Sequence, residues 1–257
     1  SGIELGRDYP APVVAHDLAR EYEAVLDWDR FEHWLQRART APLVAFDTET
    51  DSLDPMRAQI VGISLAVQPF EAAYIPVRHD YGDAPQQLDL ATVLARLKPW
   101  LEDEAAAKLG QNIKYDTHVF ANAGITVRGY RHDTMLQSYV LEAHKAHSLE
   151  SLASRHLGRS GLSYEDVCGK GAHQIPFAQV AVDVASRYSC EDSDLTLDVH
   201  QALWPRLQAE PHLQDIYQRF ELPASRVLQR IERNGVLINP ELLQKQSHEL
   251  AQRIMAL

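Results

Sequence analysis

The chain has 257 residues, 45% of them hydrophobic and 24% charged, an ordinary balance for a globular fold and enough for one large domain or one domain plus part of another. A net charge of −11, from 25 basic and 36 acidic residues, argues against coating duplex nucleic acid through a broad basic surface. It leaves room for a narrow site that holds a few nucleotides through metals, stacking and backbone amides.

No apolar run approaches the roughly 20 residues that span a bilayer, and no charged-then-apolar leader opens the chain. Ser1-Gly2, without an initiator Met, reads as a protease-cleavage scar. Cys168 and Cys190 are far apart and in no C-x-x-C arrangement, which fits free thiols in a reducing compartment and predicts a cytoplasmic location. There is no internal repeat and no low-complexity segment.

In chain order, "DWDRFEHWLQRAR" (27–39) sets Trp28, Phe31, Trp34 and Leu35 at helical spacing behind Asp27 as N-cap, with the aromatic stripe expected in the core. Three strand-like runs follow, at 43–49, 60–67 and 72–78, joined by short turn-rich connections that predict an antiparallel meander. From residue 88 the period becomes helical. Helices are expected over "LDLATVLARLKPWLED", over 111–124 with Gly124 as terminator, over 133–144, over 148–158 and over 177–204. Meander then helices, with short strand-like pieces between them, predicts an α/β or α+β domain. Pro211 marks a softer boundary near residue 210. Beyond it the chain is helical apart from "NGVLINP", and it stops inside a helical pattern with Ile254, Met255 and Leu257 uncapped, as if the pattern continued.

The stretch "VAFDTETDSLDP" (44–55) ends an apolar strand with carboxylates that repel one another and are costly to desolvate. Residues two apart on a strand share a face, so Asp47 and Glu49 present their acids together. Residues four apart share a helix face, which pairs Asn112 with Asp116 in "NIKYD" and Tyr188 with Asp192 in "YSCED". Four acids converging from one strand and two helices need cations, and hard oxygen ligands select magnesium or manganese. Two such ions about 4 Å apart can clamp the attacking and leaving oxygens of a phosphoryl transfer, with the tyrosine orienting water. Each piece alone has a plainer reading: a solvated strand face, Asn112 as an N-cap, a Tyr–Asp surface contact. Their order and separation carry the weight.

"FDTETDSLDP", "GQNIKYD" and "YSCEDSDLTLDVH" together resemble the three motifs of the proofreading 3′–5′ exonuclease domains of bacterial, family A DNA polymerase I. The resemblance runs on through "AAYIPVRHDYGDAP", "DTMLQSYVLEAH", "SLESLASRHLG" and "GKGAHQIPF". "LPASRVLQRIERNGVLI" is similar to the segment where the polymerase domain of that family begins.

The resemblance implies a ribonuclease H-like fold, a mixed central sheet flanked by helices, over residues 1–210. It implies the first helices of a polymerase domain over 211–257, without polymerase catalysis. Asp47, Glu49 and Asp192 would hold one metal ion, and Asp47 would bridge to a second that Asp116 reaches through water. Both would be divalent, Mg2+ or Mn2+, with Zn2+ admissible at one position. Tyr188 would orient the attacking water. Leu53 would wedge against the terminal bases, Tyr164 would pack on the single strand, and Gln111, Asn112 and Tyr115 would line the same groove. The implied partners are a single-stranded DNA 3′ end or frayed primer terminus and the polymerase domain of the same parent chain. The protein would act as a monomer near the nucleoid, with no membrane.

Two rivals keep the same fold: a ribonuclease D-like or helicase-associated exonuclease, and a silent single-strand-binding scaffold. Other features read as structure. "CGKGAHQ" lacks the spacing of a phosphate loop, and His144 and His147 read as a solvated helix end. Asp51 and Asp54 read as turn residues around Pro55, and Asp194 and Asp198 as surface acids.

Overall fold

The computed structural model describes residues 20–256, so Ser1-Gly2 and Leu257 lie outside the described residues. Six strands form one sheet in the order β1-β4-β3-β2-β5-β6. In chain order, β1 is Glu21–Ala24, β2 Val44–Thr50, β3 Ile60–Gln68, β4 Glu71–Pro76, β5 Lys108–Gly110 and β6 Tyr130–Asp133. The expected meander is present: β2 pairs with β3 and β3 with β4, all antiparallel. β1 adds in parallel to β4, and β5 and β6 extend the other edge in parallel. The result is the mixed sheet flanked by helices that the resemblance implies.

Helix α1 (Trp28–Thr40) starts where expected, with Asp27 Oδ1 accepting the Arg30 amide at 2.8 Å. Helix α2 (Leu90–Leu101) is capped in the same way by Asp89. With α3 (Ile113–Asn122), these helices cover one sheet face. There Val44, Phe46, Ile63 and Leu65 bury against Phe31, Trp34, Leu97, Trp100 and Phe120. The opposite face carries Ala45, Ala66, Ala72, Tyr74 and Leu109 under the long helix α7 (Val182–Gln208). Small residues at Ala185, Ser189 and Ser193, one turn apart and fully buried, let α7 lie close to the strands. The Ser193 hydroxyl meets that of Ser64 on β3 at 2.6 Å, which fixes the depth at which α7 sits.

In chain order, α4 (Thr134–Glu142), α5 (Leu149–Leu157) and the short α6 (Tyr164–Cys168) come between β6 and α7, and all three contact α7. After α7 come α8 (Pro211–Ile216), one π turn (Tyr217–Glu221), α9 (Leu222–Asn234) and α10 (Pro240–Met255). Tyr217 and Leu222 pack with Leu207 into a small buried cluster.

Several details differ from the sequence reading. β1 and α6 were not expected; each is five residues or fewer and too short to show a period. The run 177–204 is not one helix: a 3-10 turn (Phe177–Gln179) precedes α7, and Val180 and Ala181 are extended or nearly so. Asp194 and Asp198 are not surface acids. Asp194 is fully buried, accepting Tyr22 Oη at 2.6 Å, the Phe70 amide at 2.6 Å and Arg159 Nη2 at 2.8 Å. Asp198 pairs with the other nitrogen of the same guanidinium, and burial raises its pKa to about 6. His147 is half-buried, its Nδ1 on Ser138 Oγ at 2.8 Å and its ring stacked on Tyr139, whereas His144 is exposed as expected. Asp51 and Asp54 are turn residues, accepting the amides of Gln59 and Met56.

Candidate active site

The alternation of β2 decides which acids meet. Ala45, Asp47 and Glu49 point toward α7, and Val44, Phe46 and Thr48 toward the helices on the other face. The depth of α7 brings Asp192 to the first pair. One carboxylate oxygen from each of Asp47, Glu49 and Asp192 lies within 4.8 Å of the others. Asp47 and Asp192 keep partial contact with solvent, and Glu49 is buried.

Asp116 arrives by a different route. β5 pairs with β2 only at Val44 and Ala45, so the β2 edge beyond them is open. Asp116, in the first turn of α3, fills that gap: its Oδ1 accepts the Thr48 amide at 3.0 Å and the Thr48 hydroxyl at 2.6 Å. It stands beside the three-acid cluster, near enough for the Asp47 charge to act on it, but is not part of it.

Helix α3 is aimed by a residue with no part in the sequence-derived site. Asn112 takes the left-handed conformation, φ +57°, and caps nothing with its side chain. Instead Asp133 Oδ1 and Oδ2 accept the amides of Asn112 and Ile113, and the same carboxylate caps α4 through Met135. Burial raises the Asp133 carboxyl to about 6 despite these bonds.

The electrostatics are unbalanced. Burial, with the neighbouring acid charges added, holds Glu49, Asp116 and Asp192 well above the ordinary carboxylate range. Burial alone lifts Asp47 to about 7. Among the described residues, no lysine, arginine or histidine forms an ion pair with any of the four. Hydroxyls are what the protein supplies: Thr48 to Asp116, and the fully buried Ser189, which donates to Glu49 Oε1 at 2.8 Å. An all-oxygen, anionic donor set without a cation of its own fits hard divalent ions. Tyr188 lies one turn before Asp192, and burial together with that carboxylate keeps its phenol protonated far above neutral pH.

Beside the acids opens a cleft of about 410 Å3, lined by Glu49, Thr50, Leu53, Tyr115, Tyr164 and Phe177 among others. Leu53 stands 96% exposed at the tip of its turn. Tyr164 is 41% exposed and stacks on Phe177 at 6.4 Å between ring centroids. Tyr115 donates its hydroxyl to Ser52 O at 2.6 Å, holding the Leu53 turn. The Gln111 amide is engaged by His147 O and the Thr134 hydroxyl, and Asn112 serves through its backbone. Thr48, Asp133 and Ser189 were missed as site residues. Only Asp133 carried a sequence signal, as an aspartate directly before a helical run.

A strand-borne acid pair met by acids from two helices on a mixed sheet fits the layout of a carboxylate-type nuclease. The chain belongs to the 3′–5′ exonuclease family, whose model matches residues 22–208. DNA polymerase I of Pseudomonas aeruginosa is 48% identical over 240 residues, covering 92% of this chain and 26% of that protein. The chain spans about a quarter of the length of the curated DNA polymerase I relatives that it matches. Among solved structures, the polymerase domain of Pol1 from M. smegmatis, in complex with a DNA primer-template and dNTP, superposes with a TM-score of 0.72 at 20% identity, over 91% of this chain and 36% of that one. Escherichia coli RNase D, an exoribonuclease, gives 0.60 at 17% identity, over 84% of this chain and 52% of that one.

Proposed function

We propose that this exonuclease is the proofreading part of a DNA polymerase I. It removes nucleotides one at a time from the 3′ end of single-stranded DNA or a frayed primer terminus and releases nucleoside 5′-monophosphates. The observation that carries this reading is the trio of uncompensated carboxylates beside a cleft with an exposed leucine and tyrosine. The similarity to polymerase I chains supports DNA as the substrate.

Asp47, Glu49 and Asp192 would hold one divalent ion, and Asp47 with Asp116 a second, Mg2+ or Mn2+ at both and Zn2+ admissible at one. When bound, such ions lower the pKa of the attacking water and stabilise charge on the phosphate. The chain's own residues do the rest. Thr48 and Ser189 each occupy one oxygen of a neighbouring acid and so fix which oxygens face the substrate. The phenol of Tyr188, protonated at any working pH, orients the water. Leu53 wedges under the terminal base, and Tyr164 stacks in a way that tolerates any sequence. Tyr115, Gln111 and Asn112 border the same strand.

Residues 1–210 form the exonuclease unit in this reading, and 211–257 open the polymerase domain of the same parent chain. The apolar side chains left exposed on α9 and α10, among them Val227, Ile231, Leu243 and Leu250, support a further partner there. The protein works as a monomer in the cytoplasm, at the nucleoid. No helix among the described residues is long and apolar enough to cross a membrane.

Digestion of matched DNA and RNA oligonucleotides with magnesium present tests the substrate. The reading predicts DNA shortened stepwise, with deoxynucleoside 5′-monophosphates as products. Equal or faster digestion of RNA would move the chain to the ribonuclease D-like alternative, which so far has likeness of fold alone.

A further inference from the structure

Helix α3 carries more than Asp116. Lys114, His118 and Asn122, spaced four apart, form a ridge on the side turned toward α9. Glu232 on α9 receives two of them: His118 Nε2 meets its Oε2 at 2.8 Å, and Lys114 pairs with its Oε1. The next residue, Arg233, reaches the third, with Nη1 donating to Asn122 Oδ1 at 2.7 Å and to His118 O at 3.3 Å. Its Nη1 also approaches Met56 Sδ at 3.8 Å.

Asn122 passes the contact on. Its Nδ2 donates to Pro55 O at 2.8 Å and to Ala58 O at 3.1 Å, the far side of the turn that presents Leu53. The near side of that turn hangs from Tyr115, which is also on α3. The turn is therefore suspended from two α3 side chains, and one of them is set by an arginine 111 residues later in the chain.

We infer that Glu232 and Arg233 are positioning residues of the exonuclease site: they clamp α3 so that Asn122 holds the Leu53 turn, making a helix beyond residue 210 part of the nuclease. The inference rests on the exonuclease reading for its effect on turnover, but the clamp itself does not. A guanidinium–amide bond links α9 to α3, and two amide bonds link α3 to the turn. Loss of the first frees the Asn122 amide to rotate and lets the turn relax.

The test uses the 257-residue chain and three variants on α9. Arg233→Ala should speed amide hydrogen exchange over residues 52–58. It should also raise the KM for a single-stranded oligonucleotide about fivefold to tenfold with kcat changed less than twofold, since a charge-assisted hydrogen bond is lost away from the reacting phosphate. Arg233→Lys, which keeps a donor, should recover part of both. Arg230→Ala, an exposed position on the same helix, should change neither. Unchanged exchange over 52–58 in Arg233→Ala, or an equal effect in Arg230→Ala, overturns the clamp. Faster exchange with KM unchanged overturns its role in the site. A wild-type chain that digests no DNA at all would instead overturn the exonuclease reading, while the exchange comparison still decides the clamp.

Discussion

At the scale of single residues, the four acids are a liability that the fold retains. Asp47 sits on a core strand with its pKa raised by burial to about 7, against an ordinary value of 3.8. The sign follows directly: the folded state binds this proton more tightly than the unfolded chain does. Its contribution to stability is therefore complete below about pH 4 and is lost progressively as pH rises toward 7. In a chelating buffer, Asp47→Asn should melt with wild type at pH 4 and several degrees above it at pH 8, an order of magnitude set by the usual conversion of free energy to Tm. Differential scanning calorimetry across that range checks it, and a constant difference at every pH would mean that the carboxylate is not strained. Hydroxyl donors temper the strain at two acids without removing it, through Thr48 at Asp116 and Ser189 at Glu49. Pairwise spacing on β2 and α7 makes Asp47, Glu49, Tyr188 and Asp192 legible in the sequence. Ser189 was not legible, since a serine on a helix says nothing about a strand 140 residues away.

At the scale of elements, the long periodic helices could be read directly, and so could the cap of the first, as Asp27 shows. The edge strands could not: "EYEA" and "YRHD" offer too few residues for alternation to stand out. The same limit explains Asp194. Along α7 it looks like one more acid on a polar face, and its burial is decided by Tyr22, Phe70 and Arg159, brought from three distant segments. This network ties β1 and the β3–β4 turn to α7, and so sets the seating of the helix that carries Asp192. Asp194→Ala would leave Arg159 short of a partner and strand two further donors. It should cost about 3–5 kcal/mol in urea denaturation, the range for breaking a buried pair. A loss under 1 kcal/mol would return Asp194 to the ordinary surface class.

At the scale of the whole molecule, the division near residue 210 that composition suggests is not a gap in the packing. Tyr217 donates no less to the nuclease than a core residue does: it is fully buried and its hydroxyl accepts the Asp133 amide at 2.9 Å, at the point where Asp133 aims α3. The acidic net charge also takes on a local meaning, because three of those carboxylates gather, with Asp116 beside them, where no lysine, arginine or histidine among the described residues pairs with them. That imbalance is the centre of the account, and timed digestion of a 5′-labelled single-stranded oligonucleotide by wild type and by Asp47→Ala, each with magnesium and with chelator, tests it most directly. The prediction is a ladder shortening from the 3′ end for wild type with magnesium only, and a rate lower by roughly a thousandfold or more for Asp47→Ala at an undiminished Tm. Wild-type digestion that survives the chelator, or an Asp47→Ala rate close to that of wild type, would contradict it.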